Sequence, residues 1–200
     1  VDDVGDVGAR DLCRQLVEDA QAGDTVIFRW IAESSYRNDE EFCSLTVPTS
    51  SAEPNPPAVF NKAEQIRYER RLKAQREEHE KSVRAVREKA LAAINNAEIK
   101  KAMKTDIIGF LVAASELFEQ APQNCEKKLV IVSDMLDEGI YKAETPLPGV
   151  GVIAYLQNDP DPAKMQKRRE SWTNRFRTSG CSSVEFRSIN GTIATIGGSR

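Results

Sequence analysis

Three short stretches gather oxygen-bearing side chains where chemistry could be done: DDVGDV at 2–7, Thr105-Asp106, and Ser133-Asp134. Each stands at the end of an expected strand or the start of an expected helix, so folding can bring them above one sheet edge. Carboxylates and hydroxyls without histidine or cysteine suit a hard ion such as Mg²⁺, Mn²⁺ or Ca²⁺. Grouped carboxylates repel one another, and a cation supplies a physical reason for keeping them together. Each stretch also has a plainer role on its own, because acids and hydroxyls before helices cap N-termini, and Thr105 stands where an N-cap would. The only histidine, His79, falls inside a densely charged helical stretch, which disfavours a Ser-His-Asp or Cys-His arrangement at the strand ends. Phosphate-cradling glycine loops are lacking, and GVGV at 149–152 is too short a pattern to make one. Cys13, Cys43, Cys125 and Cys181 are scattered without a C-x-x-C pair, which argues against zinc and leaves free thiols as the expectation.

The elements that must position these groups follow from periodicity. Residues 9–22 put Leu12, Leu16 and Val17 on one face of an amphipathic helix that Gly23 stops. TVIFRWI (25–31) is β-branched and aromatic, a largely buried strand, and FCSLTV (42–47) reads as a shorter, half-exposed one. A Pro-rich loop at 50–57 follows. From 58 to 104 the chain changes character: Glu, Arg and Lys crowd it, and KAQREEHEKS (73–82) has no large apolar residue. Such a helix must project into solvent or lie on a partner, sustained by i,i+4 pairs such as Glu69–Lys73 and Glu80–Arg84. Asn95-Asn96 could bend it into a hairpin, and one long helix fits the pattern nearly as well. Residues 105–119 form the most apolar helix, followed by Pro122. KKLVIVSD (127–134) and GVGVIAYLQ (149–157) are continuous apolar runs of the kind that central parallel strands show. Between 163 and 180 lies a basic amphipathic helix with Trp172 and Phe176 at i,i+4 as core anchors and Gly180 as its stop. Its KRR run (167–169), with Arg175 and Arg177, reads as a solvated face. VEFRSI (184–189), an Asn190-Gly191 turn and TIATIG (192–197) supply one or two last strands. Strands alternating with helices predict an α/β fold, a doubly wound, mostly parallel sheet flanked by helices, with 58–104 as a long helical insertion in a single domain of residues 1–200.

Taken together, DDVGDV, T-D-I-x-x-x-L (105–111) and V-S-D-M (132–135) resemble the von Willebrand factor A-like domain. That resemblance implies a metal-ion-dependent adhesion site, with Asp2 at the motif aspartate, Thr105 before the metal-side helix and Asp134 after a central strand. Val4 and Asp6 stand where the family's motif has two serines, so the implied site is Asp2, Asp6, Thr105 and Asp134, holding Mg²⁺ or Ca²⁺. The resemblance covers most of the chain outside 50–100; the family's first strand should precede the motif, where only Val1 stands, so either an upstream segment or the run TIATIG (192–197) is expected to supply it.

Composition narrows the function. Hydrophobic residues at 40 % and charged residues at 30 % of 200 are those of a globular protein, and a net charge of -3 argues against a general nucleic-acid or membrane-surface binder. No run approaches the ~18 apolar residues that cross a bilayer. The expected function is a protein-interaction module, with the cation-binding edge or the projecting helical stretch as its binding surface. Two alternatives stand beside it: a metal-dependent phosphoryl-transfer or hydrolytic enzyme using Asp2, Asp3 and Asp134 with Lys104 nearby, and an assembly subunit oligomerising through 58–104. The compartment is left open.

Overall fold

The computed structural model describes residues 3–36, 40–53, 56, 62–98, 105–137, 145–156 and 161–188, without the side chains of 3–6. Asp2, Lys104, the Asn190-Gly191 turn and the run at 192–197 lie outside the described residues. Nine elements follow one another: α1 (Asp3–Asp19), β1 (Thr25–Arg29), β2 (Glu41–Thr46), α2 (Lys62–Asn96), α3 (Ile107–Gln120), β3 (Lys128–Ser133), β4 (Gly151–Leu156), α4 (Pro162–Thr178) and β5 (Ser183–Ser188) among the described residues. The protein is thus mixed α/β, with a three-stranded parallel sheet and one long helix. It divides into two compact units, Val1–Leu12 with Arg29–Phe42 and Glu98–Arg200, and Cys13–Phe28 with Cys43–Ala97.

In the first unit the sheet order is β3-β4-β5, so the middle strand is β4. Both pairings are parallel, Leu129 beside Val152 and Val152 beside Val184. One face of this sheet carries Leu129, Ile131, Val152, Ala154 and Leu156, which share a core with Ile107, Ile108 and Leu111 of α3 and Trp172 and Phe176 of α4. Alternation along a strand dictates that face, since residues two apart point the same way. The opposite face holds buried Tyr155, beside which Arg187 donates to the phenol oxygen at 3.2 Å. Arg187 also grips Glu185 through both carboxylate oxygens, at 2.8 and 2.9 Å. That hydrogen bonding holds the Glu185 carboxyl below its ordinary value and raises the Arg187 guanidinium.

Helix α4 ends as its sequence predicts. Gly180, at φ 88°, turns left-handed, and its N–H donates to the Arg177 carbonyl while Cys181 N–H donates to Phe176. This double bond is the Schellman closure, and a residue with a Cβ adopts its left-handed turn only at a cost. The turn also accepts from the segment that leads into β4, Leu147 N–H donating to Ser179 O and Gly149 N–H to Gly180 O.

Four sequence expectations are corrected. Helix α1 starts at Asp3, so DVGDV forms its first turns rather than a loop ahead of it. β1 and β2 pair with each other in a separate two-stranded sheet. Val47 N–H bonds Asp24 O near one end and Trp30 N–H bonds Glu40 O near the other, so these strands run antiparallel. The link between them, residues 30–40, holds turns and no crossover helix among the described residues, which suits an antiparallel return. α2 is one 35-residue helix that stops at Asn96, so Asn95-Asn96 ends it instead of bending it. And β3 flanks β4 rather than lying between strands among the described residues.

In the second unit, the last third of α2 is packed. Its Ala90 and Ile94 are buried, Arg87 donates to Ala20 O at 2.8 Å, and Arg14 donates twice to Asn95 Oδ1. Farther toward its start the 51–53 stretch lies alongside, Gln75 donating to Ser51 O and Arg76 pairing with Glu53 at 3.1 Å. Within the helix Lys73 pairs with Glu77 at 3.8 Å, while the expected Glu69–Lys73 and Glu80–Arg84 pairs are not formed among the described residues. All four cysteines are free thiols.

Two outcomes follow. Phe176→Ala empties a fully enclosed site and costs about 3–5 kcal/mol, read from the urea midpoint at unchanged slope. Because the folded state lowers the Glu185 pKa, its contribution is present above the ordinary carboxylate value and disappears as pH falls through the folded one. The side chain is 54 % exposed, so the contribution is small. Urea midpoints of Glu185→Gln are therefore expected to lie below wild type at neutral pH and to converge with it once pH has fallen through the lowered carboxyl value.

Candidate functional site

The carboxyl edge of the parallel sheet is organised by the start of α3. Asp106 is completely buried, and it, not Thr105, is the N-cap. Asp is as good a cap as Thr, and Asp106 is the last polar residue before the apolar run. Its Oδ1 accepts from Gly109 N at 2.8 Å, and its Oδ2 accepts from Ser35 N at 3.2 Å. Its own N–H donates to Ala32 O at 2.9 Å. Ser35 closes a turn back on Ala32, its hydroxyl accepting from Ala32 N and donating to Ala32 O. A buried carboxylate survives only where donors replace the water it has lost, and here two backbone amides and the helix N-terminus do so. Gly109 is part of that arrangement, because a Cβ there would collide with the Asp106 carboxylate.

The loop that leaves β3 meets the same helix start. Asp137 Oδ1 accepts from Ile107 N at 2.9 Å and from Ile108 N at 3.3 Å. Two carboxylates therefore take up the first three amides of α3, which would otherwise lack partners. Between Ser133 and Asp137 the chain is tightly folded: Met135 N–H donates to Ser133 Oγ at 3.0 Å, and Leu136 N–H to Asp134 Oδ1 at 3.0 Å. Met135 is left-handed at φ 59° and buried, a conformation that a long side chain adopts only under outside constraint. α4 supplies the constraint. Arg168 Nη1 donates to Asp134 O, and Trp172 Nε1 to Met135 O, each at 2.8 Å. The i,i+4 spacing of these two side chains on one helix face matches two successive carbonyls of the loop.

Of the expected site residues, Thr105 and Asp134 are described, both half-buried. They sit on the two segments that Asp137 joins, next to that capping contact. The side chains of Asp2 and Asp6 lie outside the described residues. Among the described residues no three His, Cys, Asp or Glu side chains are grouped so as to hold a metal ion. His79 is half-buried on α2. Of the residues that hold the edge together, Asp106 was marked with Thr105 in the sequence, whereas Ser35, Asp137, Arg168 and Trp172 went unassigned to it. Of these, the acid three residues beyond Asp134 was a readable signal; the long-range partner Ser35 was not.

No family model, curated protein or solved structure matches the chain. No helix among the described residues is long and apolar enough to cross a membrane.

Gly109→Ala is expected to destabilise by about 2 kcal/mol or more, since it displaces a cap and leaves buried amides unbonded. In an Asp106→Ala background the same change is expected to cost under about 1 kcal/mol, because its steric opponent is gone. A thermodynamic cycle from urea denaturation measures the difference, and additive costs would refute the contact.

Proposed function

We propose that the chain is a protein-interaction module of the von Willebrand factor A-like kind, whose sheet edge holds Mg²⁺ or Ca²⁺ and there engages a protein partner. In this reading the parallel strands and their covering helices belong to a doubly wound sheet, and Asp2, Asp6, Thr105 and Asp134 face a common ion. The observation that supports it is the junction at Asp137, which brings the segment after β3 against the start of α3. Two of the four implied donors thereby come to one edge from sequence positions 105 and 134.

The donors fit the ion in kind. A threonine hydroxyl and a carboxylate are hard oxygen ligands, and Asp134 keeps one carboxylate oxygen clear of the Leu136 amide. Two donors are fewer than the ~6–8 oxygens that Ca²⁺ takes, so Asp2, Asp6 and water supply the rest in this reading. Such an ion would offset the carboxylate charge at the edge and present a positive centre to an acidic group of the partner. The chain's own part is orientation: the Arg168 and Trp172 bonds fix the backbone on which the Asp134 carboxylate is carried.

An ion bound only by the folded state raises stability by about 2.7 kcal/mol at a hundredfold excess over its Kd. For a protein of this size that corresponds to a Tm increase of roughly 5–10 °C. Mg²⁺, Mn²⁺ and Ca²⁺ at millimolar concentration are to be compared with EDTA by calorimetry, in wild type and in Asp134→Ala. The expected result is a rise in wild type that the variant loses. Unmoved melting with all three ions would end the cation reading.

A further inference from the structure

The second unit carries two clusters of exposed charge that its own fold leaves uncompensated. Residues 62–76 of α2 hold six Lys or Arg against two Glu. Arg67, Arg70 and Arg71 are exposed and make no ion pair among the described residues. Glu18 and Asp19 are likewise exposed and unpaired among the described residues, in the last turn of α1, which contains no basic residue. Acids at a helix C-terminus face the negative end of its dipole, so the placement is locally unfavourable.

The two clusters cannot neutralise each other within one chain. Arg87 lies against the end of α1 through its bond to Ala20 O. Arg67–Arg71 precede Arg87 by 16–20 positions on the same helix, or roughly 24–30 Å at 1.5 Å per residue. That separation exceeds the ~10 Å over which charges act at 0.1 M salt. Between the clusters, α2 presents an open groove of about 550 Å³. Its walls are two rows of side chains four residues apart, 79-83-87-91 and 80-84-88, with Val83 and Leu91 as the apolar members. Rows of this spacing are the ridges between which a second helix packs.

We propose that two copies of this chain pair through α2, antiparallel about a point near His79, with Arg67, Arg70 and Arg71 of each against Glu18 and Asp19 of the other. A two-fold arrangement satisfies both clusters twice, because each surface is its own complement. Pairing about residue 79 sets position 71 opposite 87, where α1 ends, and brings Ile66 to the Leu91 end of the groove. Ile66 is 43 % exposed in the single chain, so the pairing also covers an apolar side chain that water now surrounds. The occupant follows from charge: the basic half of the helix needs an acidic surface, and the same unit carries one at the matching distance. The inference is independent of the cation edge, and its test is run in EDTA.

Sedimentation velocity of the full chain, over the whole soluble concentration range, reads the outcome. In about 50 mM NaCl a monomer–dimer equilibrium is expected, and about 500 mM NaCl should dissociate it, because screening shortens to a few ångströms. The triple change Arg67→Glu, Arg70→Glu, Arg71→Glu and the double change Glu18→Lys, Asp19→Lys should each leave monomers at low salt. Mixing the two variants in equal amounts should restore a dimer, since every contact is then attractive again; this rescue also shows that both variants are folded. A wild type that stays monomeric at low salt overturns the proposal. So does association that continues past the dimer, or variants that fail to complement on mixing.

Discussion

A carboxylate sealed from water has to be surrounded by donors, and Asp106 meets that requirement with amides from two places in the chain. Gly109 N–H comes from its own helix, Ser35 N–H from the turn after β1, and Ala32 O accepts the Asp106 amide. The rest of the first unit is arranged around this knot. It sets where α3 begins, and α3 in turn presents Ile107, Ile108 and Leu111 to the sheet. It also leaves two amides for Asp137, which draws in the loop after β3. α4 then grips that loop by its carbonyls. Polar satisfaction and apolar packing are the same event here, because the helix cannot approach the sheet until its end is capped.

The elements whose pattern repeats were legible in the sequence. Trp172 and Phe176 at i,i+4 are buried as their spacing implies, and Gly180 closes α4 at a positive φ. The long charged stretch is helical and largely exposed, as a segment without an apolar face must be. Pairing was less legible than element type. β1 and β2 share the composition of sheet strands, but composition does not say which neighbour a strand takes, and an eleven-residue link without a helical pattern is the one local sign of an antiparallel pair. Capping was misread by one position because Thr105 and Asp106 are both good caps, and the choice depended on Ser35, 71 residues away. At the edge, Thr105 and Asp134 were marked from their places in the sequence, while the side chains that hold those places were hidden because their contacts are long-range.

The edge and the arm represent two ways of exposing charge. At the edge, acids are spent on backbone amides or oriented by hydrogen bonds, so little is left undirected. On the first half of α2 the guanidinium groups meet water, apart from Arg76 with Glu53. Groups held by internal bonds set shape, whereas those left in solvent are available to another molecule. A protein-interaction function can draw on both.

The Ser35–Asp106 bond has a consequence for how the protein comes together during synthesis. Its two ends are separated by most of a domain's worth of chain, so the turn at 32–36 emerges from the ribosome long before the carboxylate that will hold it. α2, built from contacts within four residues, can wind in that interval, because local helix formation is fast. The strands β3, β4 and β5 arrive last and in their final spatial order. Nascent chains stalled ahead of α3 would therefore carry a wound α2 and a turn at 32–36 whose partner carboxylate has yet to be made.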